Sequence, residues 1–133
     1  MKLSKLLTLV LLVSTVMIAC KGKAPKELIV NKWKLTAVSD EKADSSSKMP
    51  ESAKKEMIGK VSIEMTKDGQ CIMQGVGDTP ETGTYTLSDD GKTLSLTEKG
   101  ASKADVMGID ELTESKLVMT DEKGKIQMTF SKQ

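Results

Sequence analysis

The sequence predicts an all-β protein: an eight-stranded antiparallel up-and-down barrel with one short helix after the first strand. Three observations carry this expectation. Beyond residue 28, apolar residues recur with a period of two in short runs, the signature of half-buried strands. Most runs are joined by tight turns such as Lys67-Asp68-Gly69 and Asp89-Asp90-Gly91-Lys92, which favours a sequential meander. A single sheet with one apolar face would leave that face wet, and closing it into a barrel covers the face and removes the edges. A two-sheet sandwich meets the same need and stays open as the alternative.

The chain begins with a processing signal. Lys2 and Lys5 precede an apolar stretch at 6–19. Its ~14 residues fall short of the ~20 that a spanning helix needs. The stretch ends Met17-Ile18-Ala19-Cys20 and then turns polar. A small residue followed by Cys at this boundary resembles a bacterial lipobox. That implies a signal peptide at 1–19 and a diacylglycerated Cys20 as the new N-terminus. The other reading is an ordinary signal peptide cut near Ala19, which leaves Cys20 a plain thiol. Residues 20–27, broken by Gly22 and Pro25, read as a tether to a domain at 28–133. Lys21, Lys23 and Lys26 add weak attraction to an anionic leaflet, or serve only as solvation.

The domain opens with a strand at 33–39 that carries the only tryptophan. Trp33, Leu35 and Ala37 fall on one face, and Trp33 is placed to plug one barrel end. Residues 40–47 are Asp-, Ser- and Lys-rich and form a loop. Pro50 suits the first turn of a helix at 50–58, with Met49, Ala53, Met57 and Ile58 as its apolar stripe and Gly59 as its stop. Because that stripe must bury somewhere, residues 40–59 are expected to form a lid over the barrel end near Trp33.

Val61, Ile63 and Met65 alternate in the next strand, and Cys71 and Met73 follow the hairpin turn. A loop at 75–81 leads to a strand at 84–87 with Tyr85 and Leu87 on one face. Leu94 and Leu96 continue that face after the next turn. A strand at 106–112 carries a bulge near Asp110. Leu117 and Met119 precede a turn at 121–125, and Ile126, Met128 and Phe130 close the sheet.

Composition excludes several functions. Of the charged residues, every cation is Lys, none is Arg or His, and the net charge is +1. Near-neutral, interspersed charge argues against nucleic acid as a partner. Without His, no Ser-His-Asp or Cys-His arrangement is available. There is no metal-ligand cluster, no phosphate-cradling glycine loop and no implied cofactor. Asp89-Asp90 and Asp110-Glu111 are paired carboxylates, but they fall in a turn and a bulge, so no enzyme is expected. If Cys20 is lipidated, Cys71 has no partner; it reads as a buried small hydrophobe or, alternatively, a reactive thiol.

Asn31-Lys32-Trp33-Lys34-Leu35, the run from Thr82 to Leu94 containing Gly83-Thr84-Tyr85 and Asp90-Gly91-Lys92, and Glu111-Leu112-Thr113-Glu114 through Met119 resemble the lipocalin-like lipoproteins of Bacteroidetes-type bacteria. Asn31 stands where that pattern has Gly. The resemblance implies an eight-stranded barrel and a lidded first loop. Export signals in that group are usually acidic just after the Cys, whereas Lys21 and Lys23 are basic. Lys21 is also not the Asp that commonly retains lipoproteins in the inner membrane. An outer-membrane protein facing the periplasm is expected.

Nine methionines, seven of them beyond Cys20, accompany one Trp, one Tyr and one Phe. Methionine is either gap-filler in a solid core or the wall of an adaptable apolar pocket. The candidate ligand-binding residues are Trp33, Met57, Met65, Met73, Tyr85, Met107 and Met119. The leading expectation is a membrane-anchored module that takes a small apolar molecule or lipid chain. The alternatives are an envelope interaction protein with a filled core and an inhibitor-like module acting through its loops.

Overall fold

The computed structural model describes residues 22–133, so the signal segment 1–19 and the expected anchor Cys20 lie outside the described residues. A helical turn α1 (Pro25–Leu28) is followed by β1 (Lys32–Ser39) and helix α2 (Glu51–Met57). Strands β2 (Ser62–Met65), β3 (Gln70–Gln74), β4 (Glu81–Leu87), β5 (Thr93–Glu98), β6 (Asp105–Leu112), β7 (Lys116–Asp121) and β8 (Gln127–Lys132) complete the chain. Each strand pairs antiparallel with the next, and β8 pairs back onto β1. The architecture is a closed barrel, as expected, and not a sandwich.

Strand alternation places Val61, Ile63, Met65 and Cys71 in the core. Two bulges interrupt it. Between Leu35 and Ala37 the register of β1 slips against β8, from the Leu35–Phe130 pair to the Ala37–Thr129 pair. The extra residue, Thr36, reverses the inward face. The expected Trp33–Leu35–Ala37 face therefore ends at Leu35: Ala37 is exposed and Val38 packs on the core instead. The second bulge lies between Ile109 and Glu111, where one was expected, and keeps both Ile109 and Leu112 against the core.

Antiparallel order puts α1 and the β2–β3, β4–β5 and β6–β7 turns at one end, and α2 with the β3–β4, β5–β6 and β7–β8 connections at the other. The first end is sealed. Trp33, Leu94 and Leu117 are 0% exposed, and Ile29 and Met65 are 1% exposed. The Trp33 indole Nε1 donates to the Ile29 carbonyl at 3.0 Å, which satisfies the one polar atom it buries. Part of the expected tether belongs to this seal. Pro25–Leu28 is a helical turn docked on the barrel, so the free tether stops short of Pro25. Gly91, at φ +70°, allows that docking: a Cβ there would lie 2.6 Å from the Pro25 Cβ. Ion pairs from Lys26 to Asp89 (3.2 Å) and Lys23 to Glu114 (2.9 Å) flank it, both exposed and therefore weak.

Helix α2 lies at the other end, opposite Trp33, and not over the Trp33 end where the lid was expected, because β1 carries the chain across the barrel before α2 begins. It is also shorter than the expected 50–58 helix. Pro50 is its N-cap, and Ile58 leaves it in an extended conformation, 38% exposed, so Ile58 does not lengthen the apolar stripe. The chain leaving α2 is crossed closely by the β3–β4 connection. Gly75 sits at φ +84°, where a Cβ would be 2.3 Å from the Lys60 carbonyl oxygen. Gly75→Ala is therefore expected to cost more than the ~1–2 kcal/mol of a left-handed non-glycine residue. For a domain of this size that lowers Tm by about 5 °C or more, measured by calorimetry. An unchanged Tm would mean the crossing is not that tight.

Candidate functional site

The end opposite Trp33 holds an open cavity of about 430 Å³. Its wall is apolar: Met57 from α2, Val61 and Ile63 from the β2 side, Met73, Leu96, Met107, Met119, Met128 and Phe130. Their sequence cause is simple. Each falls on the inward phase of its strand, except Met57 and Val61, which lie on the segment that enters β2. Packing is graded along the barrel axis. At the sealed end Ile29, Trp33, Met65, Leu94 and Leu117 are almost fully buried, whereas Met57, Met73, Met107 and Met128 are only half-buried and Val76 at the rim is 57% exposed. Asp105, Asp121, Glu122 and Lys123 bring charge to the mouth.

Four expected ligand residues meet here: Met57, Met73, Met107 and Met119. Trp33, Met65 and Tyr85 do not line the cavity. Trp33 and Met65 are sealed in the closed end, and Tyr85 stands near it, its hydroxyl donating to the Thr66 carbonyl at 2.6 Å. Their apolar character serves packing. Met128, Phe130, Ile63 and Leu96 were missed as site residues, although the same alternation that placed Met119 inside places them there.

Helix α2 lies against β1 and buries no residue fully; its apolar contribution to the site is half-buried Met57. Polar contacts fasten the segment instead. Asp40, 5% exposed at the end of β1, accepts Lys54 Nζ at 2.6 Å and the Met49 amide at 2.7 Å. Lys54 also binds Glu51 at 2.7 Å, and Asp44 pairs with Lys125 of the β7–β8 turn. This latch was not expected, because residues 40–47 read as loop. Lys54, then the Met49 amide, hold the Asp40 carboxyl below the ordinary carboxylate range, against the effect of burial.

A carboxyl with a depressed folded pKa adds stability that is fully present above its unfolded pKa, and loses it as pH falls through the folded one. Asp40→Asn is therefore expected to lower Tm at pH 7 relative to the parent. The gap should begin to narrow as pH falls below about 4, where unfolded aspartate titrates, and go on closing as pH falls through the lower folded value. A gap that did not narrow at all below about pH 4 would mean that the Asp40 charge does not hold the latch.

Other candidate groups have structural roles. Burial pushes the Cys71 thiol up, away from thiolate reactivity, and Cys71 is a core residue. Asp90 accepts Ser88 Oγ at 2.6 Å and the Lys92 amide at 3.0 Å, so it builds its turn. Asp110 accepts from Thr120 and from Gln127 Nε2 at 3.0 Å beside the bulge.

The sequence profile of the lipocalin-like domain matches residues 29–119, from the Ile29 seal to Met119 in the cavity wall. The chain belongs to the lipocalin-like domain family. Solved structures share the lipocalin-like fold at low identity. A lipocalin-like protein from Bacteroides uniformis aligns at 16% identity and a TM-score of 0.59, covering 80% of this chain and 99% of that one. An uncharacterized protein from Bacteroides eggerthii aligns at 16% and 0.57, over 78% and 98%. A DUF4847-family protein from Bacteroides vulgatus aligns at 11% and 0.56, over 80% and 96%. No curated protein matches the sequence.

Proposed function

We propose that this lipocalin-like protein is a lipid-anchored binding module of the outer membrane that takes a small apolar molecule, or a lipid chain, at its open barrel end. The observation that carries the proposal is the apolar cavity of about 430 Å³, within the ~300–1,000 Å³ range of ligand pockets. Its half-buried methionines are flexible enough to fit more than one chain shape. The sealed end supports the arrangement, because α1 docks there and the tether leaves from it. An anchor at Cys20 then holds the mouth away from its own membrane. Lys21 and Lys23 favour periplasmic exposure from the inner leaflet of the outer membrane.

Solvent extraction of the protein purified from native membranes, followed by mass spectrometry, tests the binding. A stoichiometric apolar molecule is the expected result. A clean extract, together with no uptake of apolar probes, would favour the second reading, an envelope interaction module. That reading draws on Val76 and Val106, exposed together at the mouth, and on exposed Ile58 after α2, apolar groups that a protein partner would cover.

The anchor is tested separately. Diacylglycerol supplies two acyl chains, the number that stable attachment takes. Cys20→Ala is expected to leave the protein soluble or unprocessed on membrane fractionation. A mature, membrane-bound Cys20→Ala protein would contradict the lipidation.

A further inference from the structure

We propose that the mouth selects for amphiphiles with a positively charged head, an alkylamine or alkylammonium being the simplest form. The proposal rests on the apolar-ligand reading above and names the ligand class. The protein as a whole is nearly neutral, at +1, yet the charge at the cavity is not. Asp105, Asp121 and Glu122 face it with Lys123 as the single cation, an excess of two negative charges. A small recess beside Met73 and Leu96 shares Asp105 with the cavity and adds Glu81 and Glu98, with no lysine.

The other lysines of this end, Lys60 among them, do not line the cavity, and Lys54 and Lys125 are paired elsewhere. Lys54 of α2 is already bound to Asp40 and Glu51. Lys99 and Lys103 lie on the β5–β6 connection just before Asp105 opens β6, but neither lines the cavity. Asp121 is held ionised: the amides of Ile126 (2.8 Å) and Lys125 (2.7 Å) donate to its carboxylate and hold it below the ordinary range. The carboxylates do not converge on a point. Among the described residues no group of three or more Cys, Asp or Glu is arranged to hold a metal ion. A diffuse negative collar above an apolar shaft instead fits a chain that enters toward Met119 and Phe130 and leaves a bulky cationic head at the rim.

The test is displacement of an apolar fluorescent dye by three submicellar probes of one chain length: dodecylammonium, dodecanol and dodecanoate. Exposed charge pairs are worth little individually, so two net charges predict about a threefold to tenfold preference for dodecylammonium over dodecanol at low salt. Dodecanoate should be the weakest. The preference should shrink at 1 M salt, where the screening length falls to ~3 Å. The double variant Asp105→Asn, Glu122→Gln should bring the three probes together; both side chains are exposed, so the fold should be retained. Equal binding of all three to the parent, or tightest binding of dodecanoate, would overturn the head-group selection while leaving the apolar site standing. If dye and probes all fail to bind, the apolar-site reading falls, and this inference with it.

Discussion

Trp33→Ala is expected to lower the melting temperature by more than 10 °C. Trp33 is 0% exposed and seals the closed end among Ile29, Met65, Leu94 and Leu117. Truncating a core Trp costs about 3–5 kcal/mol, out of a total of about 5–15 kcal/mol for a domain. Each kcal/mol corresponds to roughly 4 °C or more at this size. The variant can fail to fold altogether, so Trp33→Phe is the companion. It keeps most of the volume and leaves the Ile29 carbonyl without its indole donor, at a cost of about 1–3 kcal/mol. Because the closed end is separate from the cavity, Trp33→Phe should retain apolar-dye binding at temperatures where it is folded. A Tm shift of only a degree or two for Trp33→Ala would mean that the seal does not depend on it.

The largest effect on binding is expected from Met57→Glu. Met57 is the residue of α2 that lines the cavity, and α2 itself buries no residue fully. A carboxylate at this position puts charge into the apolar wall, where an unpaired ion is strongly disfavoured. Apolar-dye affinity should fall at least tenfold, while Tm changes by only a few degrees, because Met57 is only half-buried and α2 is also fastened by Asp40 and Lys54. A large loss of stability would instead make α2 a cap on a filled core. No change in either property would show that the helix does not rest on the mouth.

Much of the barrel was legible because alternation is a local property. Val61, Ile63 and Met65 announce an inward face, and Gly69 and Gly91 mark turns whose positive φ suits glycine. The bulge at Thr36 was not legible, since one extra residue in β1 is defined only by its slip against β8. Alternation also says which side chains point inward but not at what height. Trp33, Met65 and Met73 share an inward phase, yet the first two lie in the sealed half and Met73 in the open half. What separates them is the docking of α1 and Ile29 at one end only. That docking depends on a long-range contact between Pro25 and Gly91, which no sequence window contains. The Asp40–Lys54 latch escaped for the same reason: an Asp in a polar run becomes a buried partner only once the helix folds back on β1.

One barrel end is an open apolar site, and the core at the other is closed off by Trp33 and Ile29. The methionines themselves report on this difference, because they populate both ends. With methyl-labelled methionine, NMR spectra recorded while dodecylammonium or dodecanol is added should show saturable shifts at Met57, Met73, Met107, Met119 and Met128, which line the cavity. Met65, 1% exposed in the sealed half, should stay in place. Shifts spread equally over Met65 and the cavity methionines, or no shifts at any of them at saturating probe, would contradict the account.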